Sequence, residues 1–278
     1  MSQIRIAAGV AVLLVAQTVT AGIEYQFRQV RRSEVETVPS LDITGKAVVD
    51  GERSRVDFTG GTPYTPGSYV ISVDGARNLT FVDPAHKTYA EVNLAGLAGA
   101  VGAARIEITN LKSNVENLAD HPTIAGMPTN HARLTVKYDI TMKVGALALR
   151  QKVQTIIDKW STNAFGNVNE TFLASGSLQT GNSQLDEILD AETTKIKGFP
   201  LRQLVQVTTT SQNSRLNTSE LKFTPTRKQT TETVVTSVES RTIAPSAFQI
   251  PATYTKQDLQ KKGEETPVRM LSLEPSGE

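Results

Sequence analysis

The chain has 278 residues, with 29 Lys and Arg against 28 Asp and Glu, three His and no Cys, and 38% of it is hydrophobic. This composition excludes disulfides, catalytic thiols and cysteine metal sites, and the near balance of charge offers no basic surface to a nucleic acid. The length suits one large domain or two, and no linker-like stretch divides the middle.

At the N-terminus, Arg5 is the only charge ahead of an apolar run from Ile6 to Val15, and the small residues Val19 and Ala21 shortly precede Gly22. That is the pattern of a cleaved export signal over residues 1–21. The run is far shorter than the roughly 20 apolar residues that cross a bilayer, so no stable membrane span is expected. Cleavage would remove Arg5 and no acid, leaving 28 basic and 28 acidic residues. With no cysteine to carry a lipid, the mature chain is expected to be soluble and periplasmic or secreted. Residues 22–262 are expected to form a single β-rich domain, and 263–278, with Gly263, Pro267, Pro275 and Gly277, a flexible tail.

Turn signals then punctuate alternating segments. Asp50-Gly51 separates Ala47 and Val49 from Val56 and Phe58, and Asp74-Gly75 separates Tyr69, Ile71 and Val73 from Leu79 and Phe81. Asp83-Pro84 closes that second strand. From Asn93 to Ala104, Leu94, Leu97 and Val101 stand at helical spacing, but Gly96, Gly99 and Gly102 weaken the helix by about 1 kcal/mol each relative to alanine. This segment is expected to be a helix packed closely on the sheet or a movable flap. Ile106 and Ile108 alternate in one phase while Leu111 and Val115 fall in the other, which predicts a bulge near Thr109 or Asn110.

The clearest pattern runs through Leu134, Val136, Tyr138, Ile140, Met142 and Val144, alternating with Thr135, Lys137, Asp139, Thr141 and Lys143. A strand of this length suits a large curved sheet. Gly145 turns it into a second segment with Leu147, Leu149, Val153 and Ile157, ending at Trp160, so a long antiparallel hairpin is expected. A helix is predicted from Ser183 to Gly198, with Leu185, Ile188, Leu189 and Ile196 on one stripe. Thr- and Val-rich strands follow at Leu204 to Thr210, Leu221 to Thr224 and Thr233 to Thr242, for roughly ten strands in all.

Chemistry-bearing motifs are absent. His86, His121 and His131 are too scattered for a metal site, and His131, on the polar phase before the long strand, is expected to be an exposed or loop histidine. Ser175 and Ser177 in Ala-Ser-Gly-Ser-Leu lack the glycine spacing of a nucleophile elbow. No phosphate-cradling loop or dinucleotide fingerprint occurs. No catalytic residue, metal or cofactor is therefore expected.

Four short pieces carry a family resemblance. They are Val-Asp-Gly at Val73 to Gly75, Val-Asp-Pro-Ala-His-Lys-Thr-Tyr at Val82 to Tyr89, Ala-Gly-Met-Pro-Thr-Asn-His at Ala125 to His131, and Phe-Gln-Ile-Pro-Ala-Thr-Tyr at Phe248 to Tyr254. In these the chain resembles uncharacterised exported bacterial proteins that are similar to the LolA and LolB lipoprotein carriers. The resemblance implies a mainly β, α+β fold: a large curved antiparallel sheet or incomplete barrel, covered by one or more helices and able to hold acyl chains. It transfers no functional residue. The candidates to line an apolar pocket are Leu94, Leu97 and Val101 on the flap and Tyr138, Ile140 and Met142 on the long strand. The expected function is a non-enzymatic carrier or sensor of a lipid or lipidated partner. The alternative is a structural or protein-interaction module of the cell envelope, with a filled core and no ligand. An enzyme without a recognisable motif is the third class.

Overall fold

The computed structural model describes residues 22–34, 40–93, 105–144, 147–165, 189, 191–214 and 223–257. The export-signal segment, the C-terminal tail and the whole flap segment 94–104 lie outside them.

The strands in chain order are β1 (Gly22–Ser33), β2 (Leu41–Asp50), β3 (Arg53–Thr62), β4 (Tyr69–Ser72), β5 (Asn78–Asp83), β6 (Thr88–Asn93), β7 (Arg105–Leu118), β8 (Thr123–Ile124), β9 (Met127–Pro128), β10 (Asn130–Val144), β11 (Leu147–Thr162), β12 (Phe199–Ser214), β13 (Phe223–Arg241) and β14 (Thr255–Lys256). Twelve of them form one open sheet in the order β14-β6-β5-β4-β3-β2-β1-β13-β12-β11-β10-β7, while β8 and β9 form a small hairpin. All neighbours in the large sheet are antiparallel except β14 and β6. The protein is mainly β, and the sheet does not close into a barrel.

The predicted turns fall where the Asp-Gly pairs stand. Gly51 has φ +62°, and Gly75 and Ala76 have φ +70° and +69°, the two left-handed residues that match a hairpin's twist. The predicted bulge is present at Asn110, whose φ is +56°; register jumps there from Lys112 opposite Lys137 to Thr109 opposite Asp139. The extra residue brings Ile108, Leu111 and Val115 together against one apolar cluster, and the Asn110 side-chain amide donates to Asp139 at 2.7 Å. The β10–β11 hairpin pairs Asn130 with Ser161 through to Val144 with Leu147 without a break.

The sheet has more strands than the roughly ten expected. β1 escapes the alternation rule because Ile23, Tyr25 and Phe27 are followed in the same phase by Gln29 and Arg31. The Thr- and Val-rich segments after Leu221 merge into the single 19-residue β13. Of the predicted helix, Leu189 and residues 191–193 are helical, and Gly198 stops the segment at φ +92°; 183–188 and 190 lie outside the described residues.

Ladder register defines the two faces. On the inner face, Ile23, Tyr25, Phe27, Ile43, Val56, Phe58 and Val70 form one buried cluster with Phe199 and Leu201. A second cluster on the same face joins Leu134, Val136, Tyr138, Val153, Ile157 and Val205, and Leu189 with Ile196 packs on it. The outer face of β2 to β6 is covered by the C-terminal strap, which lays Ile243, Phe248, Ile250 and Tyr254 over Val48, Tyr69, Ile71 and Val82. Thr255 N–H donates to Lys87 O at 2.9 Å, so the strap also covers the margin of β6. Covering a sheet margin in this way protects it from pairing with other chains.

Inner-face packing is close where β1 meets β2. A Cβ on Gly45 would stand 2.7 Å from the Phe27 ring and 2.8 Å from the Asp57 carbonyl oxygen. Since that oxygen belongs to the backbone of β3, Gly45→Ala is expected to destabilise the fold by about 1–3 kcal/mol in urea unfolding. An unchanged midpoint would contradict this packing.

Candidate functional site

A polar band divides the two apolar clusters of the inner face. Register places Lys159 opposite Gln203 on β11 and β12, Gln203 opposite Thr233 on β13, and Thr233 opposite Gln29 on β1. These residues alternate with the outer-facing positions, so the whole row points inward among hydrophobic neighbours. Lys159 is 2% exposed and Gln203 3%. The Gln29 side-chain amide donates to Thr233 Oγ1 at 3.0 Å. One row further along, Arg31 lies opposite Thr231. Burial pushes its guanidinium down from the usual value, partly offset by nearby Tyr64, and burial likewise raises the Tyr64 phenol. Tyr64 stacks on Phe58 with ring centroids 3.8 Å apart.

Ser161 sits two residues beyond Lys159 on the same side of β11, 2% exposed, and its Oγ has no hydrogen-bond partner. A buried hydroxyl left unsatisfied costs about 1–3 kcal/mol. Register sets Ser161 opposite Pro200 of β12. The neighbouring Phe199 meets Tyr25 edge-on at 5.2 Å and Phe165 at 5.8 Å. Ile124 and Met127 of the β8–β9 hairpin pack on the same cluster.

The expected pocket residues divide. Tyr138, 8% exposed, and half-buried Ile140 face inward together in the second cluster, beside Leu189 and Ile196. Met142 lies on β10, but its side chain is outside the described part; Leu94, Leu97 and Val101 are wholly outside it. Missing from the sequence reading were Lys159, Gln203, Gln29 and Ser161. A signal existed for Lys159, which occupies the apolar phase of β11 two residues after Ile157.

His131 corrects an expectation. Rather than exposed, it is 6% exposed within β10 and held between two carboxylates, Nδ1 against Asp120 Oδ1 at 2.5 Å and Nε2 against Asp158 Oδ1 at 3.0 Å. Asp158 also accepts from Arg133 Nε at 2.7 Å, and Asp120 from Trp160 Nε1 at 3.1 Å. The His131 and Trp160 rings stack at 4.1 Å, and Arg202 covers the indole at 4.6 Å. Both ring nitrogens of His131 are thus engaged by carboxylates. This outer-face cluster is a clasp that ties the base of the β8–β9 hairpin to β10 and β11. The other histidines serve locally: His86 Nδ1 meets Asp83 Oδ2 at 2.6 Å, and His121 Nδ1 meets Thr129 O at 3.2 Å. Among the described residues no group of acidic and histidine side chains could hold a metal ion, and no helix is long and apolar enough to cross a membrane.

No known family model matches the chain, and no curated protein matches it in sequence. Solved structures that resemble it distantly include the following two. An uncharacterized conserved protein from Thermus thermophilus is 6% identical, with a TM-score of 0.32 over 86% of this chain and 92% of that one. A LolA superfamily protein from Nitrosomonas europaea is 10% identical, with a TM-score of 0.31 over 83% and 90%. Likeness at this level carries no function across, and the site stands on its own residues.

The clasp makes a pH prediction. Its hydrogen bond from His131, with a second from Trp160, holds the Asp120 carboxyl below the usual carboxylate range. A depressed folded value means stabilisation that is present above the unfolded value, near about pH 4, and lost as pH falls through the folded one. Asp120→Asn is therefore expected to lower the urea midpoint at about pH 6, with the gap to wild type closing below about pH 4. A gap independent of pH would contradict the clasp.

Proposed function

We propose that the protein is an exported, non-enzymatic carrier or sensor that binds a lipid or lipidated partner on the inner face of its open sheet, between the sheet and the helical segment at Leu189. The observation that supports this most is the inner face itself. Buried apolar side chains extend from Leu79 on β5 to Leu134 on β10, crossed by the polar band, on a sheet that remains open and so leaves its interior reachable from the margins. A closed sheet with the same lining would have only its ends as entrances. The periplasm or the extracellular space is the proposed compartment, from the export pattern at residues 1–21.

A second function has an observation in its favour. Leu134, Val136 and Ile157 have no exposure at all, so this part of the sheet–helix space is filled in the present conformation. A filled core suits an envelope interaction module, whereas a carrier must displace Leu189 and Ile196 to admit a ligand. The two differ in what the protein holds. For a carrier, native mass spectrometry followed by organic extraction is expected to show a bound lipid-like species on protein purified from an exporting host. Ile140→Lys, at a half-buried position, is expected to abolish that adduct while circular dichroism stays unchanged. Ligand-free protein that also refuses added fatty acids and lipopeptides would contradict the carrier and leave the module.

A further inference from the structure

We infer that β7 is a dimerisation edge, along which Leu111 to Asn117 pair antiparallel with the same stretch of a second copy of the chain, about a twofold axis at Asn114. The pairing does not depend on what the inner face holds.

Three observations lead to this edge. First, the two margins of the sheet differ. The strap lays β14 alongside β6, whereas β7 ends the sheet with β10 as its one ladder neighbour among the described residues. None of its described side chains is buried, and Lys112, Asn114 and Glu116 are fully on the surface. Such an edge presents backbone N–H and C=O groups to any strand that fits.

Second, register sets Lys112 directly opposite Lys137 on the outer face, and neither lysine has an ion pair among the described residues. Like charges facing each other across a ladder destabilise it, so this spot favours an acid arriving from the open side.

Third, β7 carries that acid at the matching place. Glu116 lies on the same face as Lys112, and Asn114 stands midway between them. A twofold pair centred on Asn114 therefore sets Lys112 opposite Glu116 of the second copy, and Glu116 opposite its Lys112. The Asn114 amide already donates to Glu116 Oε1 at 2.7 Å, and a carboxylate has room for a further donor. The bulge at Asn110, with φ +56°, bends the edge away and ends the pairing there. A strand of another protein would need an acid and a base at these same two places, whereas a second copy brings both by symmetry.

Sedimentation equilibrium tests the pairing. A single strand pair is a small interface, so the titration runs to about 1 mM chain. Wild type is expected to dimerise. Lys112→Glu and Glu116→Lys are each expected to weaken the dimer by at least about tenfold, because each puts like-charged pairs where opposite ones stood. An equal mixture of the two variants is expected to dimerise as wild type does, since every charge then meets its opposite. Should Glu116→Lys fail to fold by circular dichroism, Lys112→Glu carries the comparison with wild type. Wild type that stays monomeric would overturn the dimer and leave Lys112 as a guard that keeps other strands away. A dimer indifferent to both substitutions, or a mixture no tighter than either variant alone, would overturn the pairing about Asn114.

Discussion

Twelve peptide steps separate Asn93, at the end of β6, from Arg105, at the start of β7, and those strands sit ten spacings apart in the sheet. Fully extended, that chain reaches about 43 Å, whereas ten spacings in a flat sheet measure about 48 Å. The antiparallel order also gives β6 and β7 the same sense, so the connection must return from the finishing end of one to the starting end of the other. A flat sheet is therefore impossible, and the two margins have to curl toward each other. The inner face, and the clusters on it, follow from that constraint. Bulges at Gln26/Phe27, Thr44/Gly45, Asn110 and Trp160/Ser161 supply local bends that let long strands follow the curl.

Within the curl, the protein separates two apolar regions by a row of polar side chains. Burying Lys159 is expensive, since an ammonium loses its water shell and recovers the cost only through close partners. Residues that merely complete a core would be apolar at this position, as Ile157 is one step earlier. The row also crosses four adjacent strands in register, so it is a continuous feature of the sheet and not an isolated defect. The outer face divides differently. Its first half is sealed by the C-terminal strap, and its second half carries the charged clasp around His131.

Much of the fold is legible in the sequence, and the failures have physical causes. The Asp-Gly turns, the bulge near Asn110 and the β10–β11 hairpin can all be read, because alternation there matches one wet and one dry face. β1 cannot, since Gln29 and Arg31 occupy the dry phase and break the pattern that Ile23, Tyr25 and Phe27 begin. The same substitution of polar for apolar side chains hides the band at Lys159 and Gln203. Tyr138 and Ile140 are legible as inner-face residues because their strand alternates without interruption. His131 misleads because its polar phase is not a wet one: Asp120, Trp160 and Asp158 close over it from parts of the chain distant in sequence.

The most direct measurement is nuclear Overhauser contact between 13C-labelled oleate and the methyl groups of the folded protein. If the curled inner face receives the acyl chain, contacts are expected with Leu134, Ile157, Leu201 and Val205, and none with Val48, Ile71 and Val82 beneath the outer strap. Contacts confined to the outer methyls, or the absence of any contact in the presence of excess oleate, would contradict an inner face built to hold a ligand.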